Sequence, residues 1–349
     1  MKKTIRNILV FLLLIFITFY VVFQEHNFLD VIKTFKGVDY KYIAISIVCM
    51  IIYVLCDAKN IDRMLKKLGE KSNFWKNIKY SLIGFFFSAI TPAASGGQPM
   101  QIYYMHKDNI DVANSTLTLL VNLSCMQITT ISLALFGVIF NYQYLNPAMA
   151  FLFIVGILLN SIALTLLLIS IFSRRATKGL INFAVKVLTF FKAKNIEQKK
   201  EKMEKTLEKY QESSKYIIKN KHTVFKNLIT TFIQFISLYS VTYFTYLALG
   251  FNKYNMFHLV TIQAVLFGTV SGIPSPGSVG ITEGAYLSLL GHIYNNENYL
   301  SSAMLISRGI NFYLLVIVSA FVVILNDIIV KTKKSYIKLE KQENNVKEM

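Results

Sequence analysis

Two short stretches decide the fold of this chain: ITPAASGGQPMQIYYM, residues 90–105, and GIPSPGSVGITEGAYLSLL, residues 272–290. Four of the five prolines lie in them, and each stretch is set between apolar segments. Proline removes an amide donor and glycine loosens the backbone, so such a break is tolerated at membrane depth only where protein or a water-filled cavity satisfies the freed groups. We therefore predict two broken membrane helices, an arrangement that in corresponding halves of a chain marks a transport site.

The composition is that of a polytopic membrane protein. Of 349 residues, 54% are hydrophobic and 16% are charged, with a mean hydropathy of +0.46. A net charge of +18 would point to nucleic acid in a soluble protein, but here the charges are sorted by loop, so no nucleic-acid partner is expected unless the protein is a transferase. Cys49, Cys56 and Cys125 lie in apolar runs and the histidines are scattered, so no disulfide, metal site or cofactor is predicted.

Apolar runs long enough to cross a bilayer predict six full transmembrane helices. They fall near residues 5–23, 40–57, 112–140, 150–172, 227–249 and 301–328. The first follows Lys2, Lys3 and Arg6 and lacks small residues for cleavage, so it is read as an uncleaved span. The two broken segments, 74–107 and 257–294, are too short for two crossings each and predict re-entrant helical hairpins. The predicted fold class is an all-α polytopic membrane protein.

The distribution of positive charge predicts the orientation of these elements. Nearly all of the 37 lysines and arginines fall in segments that this arrangement assigns to the cytoplasm, so both termini are expected there. The first hairpin then enters from the cytoplasm within a repeat of residues 1–140, and the second enters from outside within an inverted repeat of residues 141–328. Two kinked helices in a structural bundle are the alternative, but they do not explain the matched positions of the breaks.

Two polar segments complete the predicted architecture. Residues 173–226 form a charged cytoplasmic link that interrupts the second repeat, and residues 329–349 form a cytoplasmic tail. Within the link, residues 194–222 predict a helix with mixed-sign charges. A solvated connector is the preferred interpretation of this helix, and attraction to anionic headgroups of the inner leaflet is the alternative.

The second half-helix of each hairpin begins at the tip, which directs free N–H groups and the positive end of the helix dipole toward the middle of the membrane. That arrangement suits a phosphate, and a lipid headgroup is the natural anion there. The helix breaks are Pro92, Pro99, Pro274 and Pro276, and the tip residues predicted to bind the headgroup are Ser95, Gly96, Gly97, Gln98, Gly277, Ser278 and Gly280. The alternative is that the glycines let helices pack closely, as expected for Gly84 or Gly137.

Glu283 and Arg308 are ionisable residues inside apolar segments, where a charge is costly and indicates function. Their depths make an ion pair feasible, either as a structural lock on the second hairpin or as a lipid site in which a phosphate replaces Glu283. Both therefore join the predicted headgroup site. Secondary polar candidates are Asn122, Gln127, Gln263 and Asn311, together with Asp57, which is placed at a helix end.

With these residues in view, the sequence resembles the lysylphosphatidylglycerol synthase/flippase transmembrane family, the membrane portion of multiple peptide resistance factors. The likeness rests on TP-x-x-x-GGQP-MQ-x-YY at 91–104, on PSPGS-x-G-x-x-EG at 274–284 and on Arg308. It implies a bacterial inner-membrane protein that handles aminoacylated phosphatidylglycerol or related lipids and supports resistance to cationic antimicrobial peptides.

Three functions follow as hypotheses. The first is a flippase that moves an aminoacylated or anionic phospholipid, such as lysylphosphatidylglycerol, between leaflets. The second is a phosphatidylglycerol lysyltransferase, which the resemblance places in a large soluble domain that these 349 residues do not contain. The third is a membrane scaffold for a separately encoded lipid synthase. Membrane phospholipids are the expected partners, and such a synthase is a further candidate.

Overall fold

The computed structural model describes residues 37–91, 94–173, 179, 196–273, 278, 280–294 and 296–326. In chain order its helices are α1 (Tyr40–Lys67), α2 (Phe74–Ala89), α3 (Gly97–Lys107), α4 (Val112–Asn141), α5 (Pro147–Phe172), α6 (Ile196–Lys219), α7 (Lys221–Ala248), α8 (Met256–Val270), α9 (Ile281–Leu290) and α10 (Glu297–Arg308). Short 3-10 turns at Tyr142–Tyr144 and Gly291–Ile293 follow α4 and α9.

The described residues contain helices and no strand, which confirms the all-α class for this part of the chain. Five helices are long and apolar enough to cross a membrane: Tyr40–Lys67, Val112–Tyr144, Pro147–Phe172, Lys221–Ala248 and Glu297–Asn326. They coincide with five of the six predicted spans. The sixth, near residues 5–23, lies outside the described residues, so the full number of spans remains a prediction.

Most of these helices begin at an asparagine or aspartate whose side chain satisfies the first exposed amides. The residues that cap in this way are Asp39, Asn73, Asp111, Asn146, Asn255 and Asn296. Each side-chain oxygen accepts a hydrogen bond from a backbone N–H two or three residues further on, the usual geometry of a helix N-cap. Helix starts are therefore fixed locally by the sequence, at the boundaries between polar loops and apolar runs.

Each segment predicted to be a re-entrant hairpin contains a pair of helices that pack against each other. Helices α2 and α3 pack against each other around the first tip, and α8 and α9 do so around the second. The 16 residues of α2 and the 15 of α8 rise only about 22–24 Å, less than the ~30 Å hydrocarbon core of a bilayer. These lengths suit re-entrant segments, and the depth of the tips in a membrane remains a prediction.

A polar contact closes the base of the first hairpin, on the side of the α3–α4 link. The Asp108 carboxylate accepts hydrogen bonds from Lys79 Nζ at 2.8 Å and from Tyr80 Oη at 2.5 Å. Burial disfavours the ionised carboxyl, but the hydrogen bonds from Lys79 and Tyr80 outweigh it and hold the pKa of Asp108 below its ordinary value. The two ends of the hairpin are thus held together outside the apolar region.

The second hairpin is wedged between α4 and α5 through small residues. A Cβ atom on Gly137 of α4 would collide with the backbone carbonyl of Thr261 in α8, and one on Gly156 of α5 would collide with that of Thr269. Asn141 adds a hydrogen bond from Nδ2 to the Thr261 hydroxyl at 3.0 Å. Close helix packing is therefore the role of Gly137, as the sequence predicted.

The charged helix α6 differs from the solvated connector that the sequence favoured. Leu207, Tyr210 and Ile217 are buried, and Tyr210 and Ile217 belong to a cluster with residues of α4. The Tyr210 hydroxyl donates to the carbonyl of Ser170 at 2.8 Å, at the end of α5. Helix α6 is therefore amphipathic, and its apolar face packs on the ends of two spans. This packing corrects the interpretation of α6 as a solvated connector.

The last span is irregular just beyond Arg308. Helix α10 passes directly into a π-helical turn, Gly309–Leu314, and the chain then returns to α-helix up to Asn326. Such turns are rare and occur frequently at functional sites. Here the turn directly follows the predicted arginine, and its Phe312 packs against Phe85 of α2.

Candidate functional site

Two adjoining cavities lie between the hairpin tips. The first has a volume of about 310 Å³, and its polar lining comes from Ser88, Gln127, Asn160, Ser271 and Ser278. The second has a volume of about 230 Å³, and its polar lining comes from Tyr53, Gln263, Ser271, Ser278, Thr282, Ser307, Arg308 and Asn311. Since Phe85, Ser271, Ser278 and Phe312 line both, the two cavities share a wall formed largely by the second tip.

The two tips have the same backbone signature. Ala94 has φ 53° and Ser278 has φ 52°, and each lies three residues before the first residue of its half-helix, α3 or α9. A positive φ is uncommon outside glycine and, at a residue with a Cβ, indicates a constrained functional turn. Both residues line the first cavity. The matched positions inferred from proline and glycine are therefore matched in conformation as well.

Glu283 is held by two partners at the start of α9. Its Oε1 accepts a hydrogen bond from Arg308 Nε at 2.8 Å, in a pair whose side chains are 5% and 11% exposed. Its Oε2 accepts from the backbone N–H of Gly280 at 2.6 Å, at the N-terminus of the same half-helix. The predicted contact between Glu283 and Arg308 is thus present, and the carboxylate also occupies the helix end that was expected to face an anion.

Arg308 brings positive charge to the wall of the second cavity. Its guanidinium lies over the Phe312 ring, 4.4 Å from the ring centroid, and its side chain lines that cavity together with Ser278 and Asn311. The aromatic face and the Glu283 carboxylate fix its position from two directions. An anionic group in the cavity would meet a fixed cation surrounded by neutral hydrogen-bonding side chains.

Only some of the predicted site residues line the two cavities. Gln127, Gln263, Ser278, Arg308 and Asn311 line the cavities, and Glu283 contacts them through Arg308. Pro92, Pro274, Pro276 and Gly277 lie outside the described residues.

The predicted residues of the first tip surround the cavity without lining it. The N–H of Gly96 donates to the Thr91 hydroxyl at 2.9 Å, and Ser95 is exposed. Gly97 is buried where α3 meets α2, since a Cβ there would collide with the Ser88 hydroxyl. Gln98 is half-buried, and Pro99 lies in the first turn of α3, where a missing amide costs no helical hydrogen bond.

Several residues that line the cavities were not predicted from the sequence. Asn160, the only amide side chain in α5, donates to the Gly156 carbonyl at 2.8 Å and to the Ser271 hydroxyl at 3.1 Å, and so ties α5 to the second tip. Its isolation in an apolar run was the available signal. Tyr53 and Ser307 carried no comparable signal, because their place on a cavity wall depends on how distant helices meet.

Asp57 was placed at a helix end, and this is wrong. Helix α1 continues to Lys67, so Asp57 lies within it. The apolar run ends at Lys59, but the helix continues, and tertiary contacts satisfy Arg63, which donates to Asn227 at 2.6 Å and to Thr230 at 3.1 Å, both on α7. Asn122 does not line a cavity, and its Nδ2 donates to Asp57 Oδ1 at 2.8 Å.

Comparison with known proteins identifies a membrane-protein family. A UPF0104 membrane protein of Archaeoglobus fulgidus is 21% identical over 268 residues, which cover 75% of this chain and 78% of the relative. The family model described as the lysylphosphatidylglycerol synthase TM region matches residues 7–319, a range that contains both hairpins and Arg308. The chain therefore belongs to the lysylphosphatidylglycerol synthase transmembrane-region family.

Proposed function

We propose that this protein is a lipid flippase that passes a phospholipid headgroup between leaflets through the two cavities at the hairpin tips. The observation that carries the proposal is that Ser278 of the second tip lines both cavities, with Ala94 of the first tip on one side and Arg308 on the other. A polar route through an apolar bundle is what a headgroup needs, because its phosphate is costly to bury without partners.

The lining favours an anionic or aminoacylated phospholipid. Arg308 supplies the charge that a phosphate requires, and hydroxyl and amide groups of Ser271, Ser278 and Asn311 supply neutral hydrogen bonds. Membership of the family favours lysylphosphatidylglycerol as the substrate. Movement of this lipid to the outer leaflet would support resistance to cationic antimicrobial peptides. The exchange of Glu283 for a phosphate on Arg308 is the proposed binding step.

Helix α5 offers a place for the acyl chains. Leu159, Asn160 and Ala163 face the first cavity, whereas Leu158 and Ile162 are exposed on the opposite side. The helix is therefore a thin wall between the polar cavity and the expected bilayer. With the headgroup in the cavity and the acyl chains along the outer face of α5, the polar part of the lipid would lie in a polar environment and the apolar part in the bilayer.

The proposed setting is the inner membrane of a bacterium, with both termini in the cytoplasm and the two hairpins entering from opposite sides. The asymmetric distribution of lysine and arginine supports this orientation. The repeats would then comprise residues 1–140 and 141–328, each with a hairpin whose tip lies near the middle of the membrane.

The test is lipid movement in proteoliposomes that contain only this protein. Fluorescent phosphatidylglycerol and its lysylated form are followed by quenching of the outer leaflet, for the native protein and for Arg308→Gln. We expect the native protein to move lipid at least about tenfold faster than Arg308→Gln, the effect of losing roughly 1.4 kcal/mol of binding in the rate-limiting state. Lys205→Gln, on the exposed part of α6, is the matched control and should behave as the native protein.

Equal rates in native, Arg308→Gln and empty liposomes would contradict a flippase. A parallel assay for transfer of lysine from lysyl-tRNA to phosphatidylglycerol tests the enzyme hypothesis. Product formation without lipid movement would replace the flippase with a transferase.

A further inference from the structure

A second polar centre lies apart from the cavities, around Asp57 of α1. Neutral side chains from three other helices surround its carboxylate: Ser81 of α2, Asn122 of α4 and Gln234 of α7. The Asn122 amide donates to it at 2.8 Å. Asp57 is half-buried among these helices, and polar side chains surround its carboxylate.

Several polar groups around Asp57 are buried without partners. Gln234 is 0% exposed, and both polar atoms of its amide lack a hydrogen bond of good geometry, although the amide faces Asp57. Ser81 Oγ and Asn122 Oδ1 are buried and unpartnered in the same way. Buried polar groups are normally satisfied, so such a cluster indicates a site that changes its hydrogen bonds in use.

Within the part of the chain that the structure describes, no cation neutralises Asp57. Among the ion pairs of these residues, none includes Asp57, whereas Asp62 on the same helix pairs with Lys66 at 2.8 Å. The titratable groups that face it on its own helix are the neutral Tyr53 and Cys56. From α7, Tyr239 faces Tyr53, and the π-helical turn that packs on α1 carries Tyr313.

A buried carboxylate without a counter-charge is costly and takes up a positive charge where one is available. A hard metal cation would need several oxygen ligands around it. Asn122 instead presents its N–H group, and not its oxygen, to the carboxylate. The arrangement therefore suits a proton, which binds one carboxylate oxygen and leaves the other to accept from the amide.

Tyr53 connects this centre with the proposed lipid route. It lies one turn before Asp57 on α1, faces both Asp57 and Gln234, and lines the cavity that also contains Arg308. A change in charge at Asp57 is thus one side chain away from the headgroup site. No other described acidic residue has this position, since Glu283 is already neutralised by Arg308.

We propose that Asp57 is a proton-binding site that couples lipid movement to a pH gradient. The proposal rests on the flippase function proposed above and supplies its energy source. The carboxylate takes a proton from water on one side of the membrane and returns it to water on the other, with no other bond made or broken. Neutral and charged Asp57 would favour different hydrogen bonds of Gln234 and Tyr53, and so different states of the cavity.

The first experiment detects the proton without lipid transport. Infrared difference spectra between high and low pH are recorded on the purified full chain in detergent, for the native protein, Asp57→Asn and Asp62→Asn. We expect a buried carboxyl band that is lost in Asp57→Asn and kept in Asp62→Asn, whose pairing with the exposed Lys66 makes it the matched control. A full band in Asp57→Asn would overturn the assignment.

The second experiment measures coupling. Proteoliposomes with fluorescent phosphatidylglycerol are given a pH gradient at zero membrane potential, and in a separate arm a sodium gradient. A single titrating group changes its protonated fraction by up to about tenfold per pH unit, so the native rate should respond on that order while Asp57→Asn moves lipid at a rate independent of the gradient. Asp57→Glu, which keeps the carboxylate, should retain a response.

The outcomes separate the two proposals. A native rate that ignores the pH gradient, or that follows the sodium gradient, overturns proton coupling while the flippase stands. An Asp57→Asn protein that still responds to the pH gradient also overturns it. Absence of lipid movement by the native protein in every arm overturns the flippase, and the infrared result alone then decides whether Asp57 binds a proton.

Discussion

Glu283 shows how one side chain can serve both the fold and the proposed transport. It caps the half-helix α9 through Gly280 and neutralises Arg308 through its other oxygen. A phosphate that bound Arg308 would compete for the second contact and leave the first intact. The second hairpin could therefore keep its structure while the arginine changes partner.

The buried ion pair of Glu283 and Arg308 predicts that single and double variants differ in thermal stability. Removing one member of a buried ion pair typically costs about 3–5 kcal/mol, whereas replacing both by neutral residues of similar size is often harmless. We expect Glu283→Gln and Arg308→Met each to lower the melting temperature in detergent, and the double variant to recover much of the loss. Lipid movement should stay absent in the double variant, because the cation that binds phosphate is gone.

The exposed pair Glu201 and Lys205 provides the control, with side chains that are 65% and 74% exposed. Lys205→Met should change stability by no more than about 1 kcal/mol, as exposed ion pairs usually do. Recovery of lipid movement together with stability in the Glu283→Gln/Arg308→Met protein would reduce the pair to a structural lock.

The contact between Glu283 and Arg308 could be predicted from sequence because both are charged, isolated in apolar segments and similar in depth. Tyr53 could not, because a tyrosine in a membrane helix is common and its place on the cavity wall is set by α8 and α10. The error at Asp57 has a different cause. Hydropathy ends the span where charge begins, but Arg63 is satisfied by α7, and only the folded chain contains that contact.

The bounds of the hairpin helices could be predicted from nearby sequence, whereas the packing of their glycines could not. The hairpin bounds, 74–107 and 257–294, followed from Pro/Gly tips between short apolar runs. Helices α2 and α3 begin and end at the first pair of limits, whereas α8 begins one residue before 257 and α9 ends at Leu290, with a 3-10 turn continuing to Ile293. The roles of the tip glycines did not follow. Gly97 is the first residue of α3 and Gly284 is the fourth residue of α9, and a Cβ on Gly97 would be pressed against α2, whereas a Cβ on Gly284 would have nothing within 4 Å.

The two glycines give a matched pair of substitutions. Gly97→Ala should lower the free energy of unfolding by about 1–3 kcal/mol, because its methyl group would collide with Ser88 and lie 2.8 Å from the Gly84 carbonyl oxygen. Gly284→Ala should be neutral or slightly stabilising, since alanine favours a helix. Thermal unfolding in detergent, with lipid movement measured in parallel, compares them. Equal effects would show that hairpin packing does not depend on Gly97.

The arrangement of the entire chain makes a prediction about sidedness. Gln143, in the turn after α4, and Glu297, at the start of α10, are exposed and expected outside, and Lys205 is exposed on α6 and expected inside. In a protein whose native cysteines are replaced by serine, cysteines at 143 and 297 should react with an impermeant thiol reagent in intact cells, and one at 205 should react only after lysis. Labelling at 205 in intact cells would contradict the orientation on which the inverted repeat depends.

The π-helical turn after Arg308 changes the relative orientation of the two parts of the last helix, compared with an uninterrupted α-helix of the same residues. An α-helix advances about 100° per residue, and a π-turn accommodates roughly one residue more than an α-helical turn does. Arg308 thereby faces the cavity while Ile317 and Phe321, at 59% and 61% exposure, face outward. If the same residues formed a regular α-helix, either the arginine or the apolar face would turn by about 100°, whereas loss of one residue from Gly309–Leu314 would restore a regular helix and keep both faces in place. A substitution that straightens the segment without shortening it should thus disturb the cavity more than the loss of one residue does.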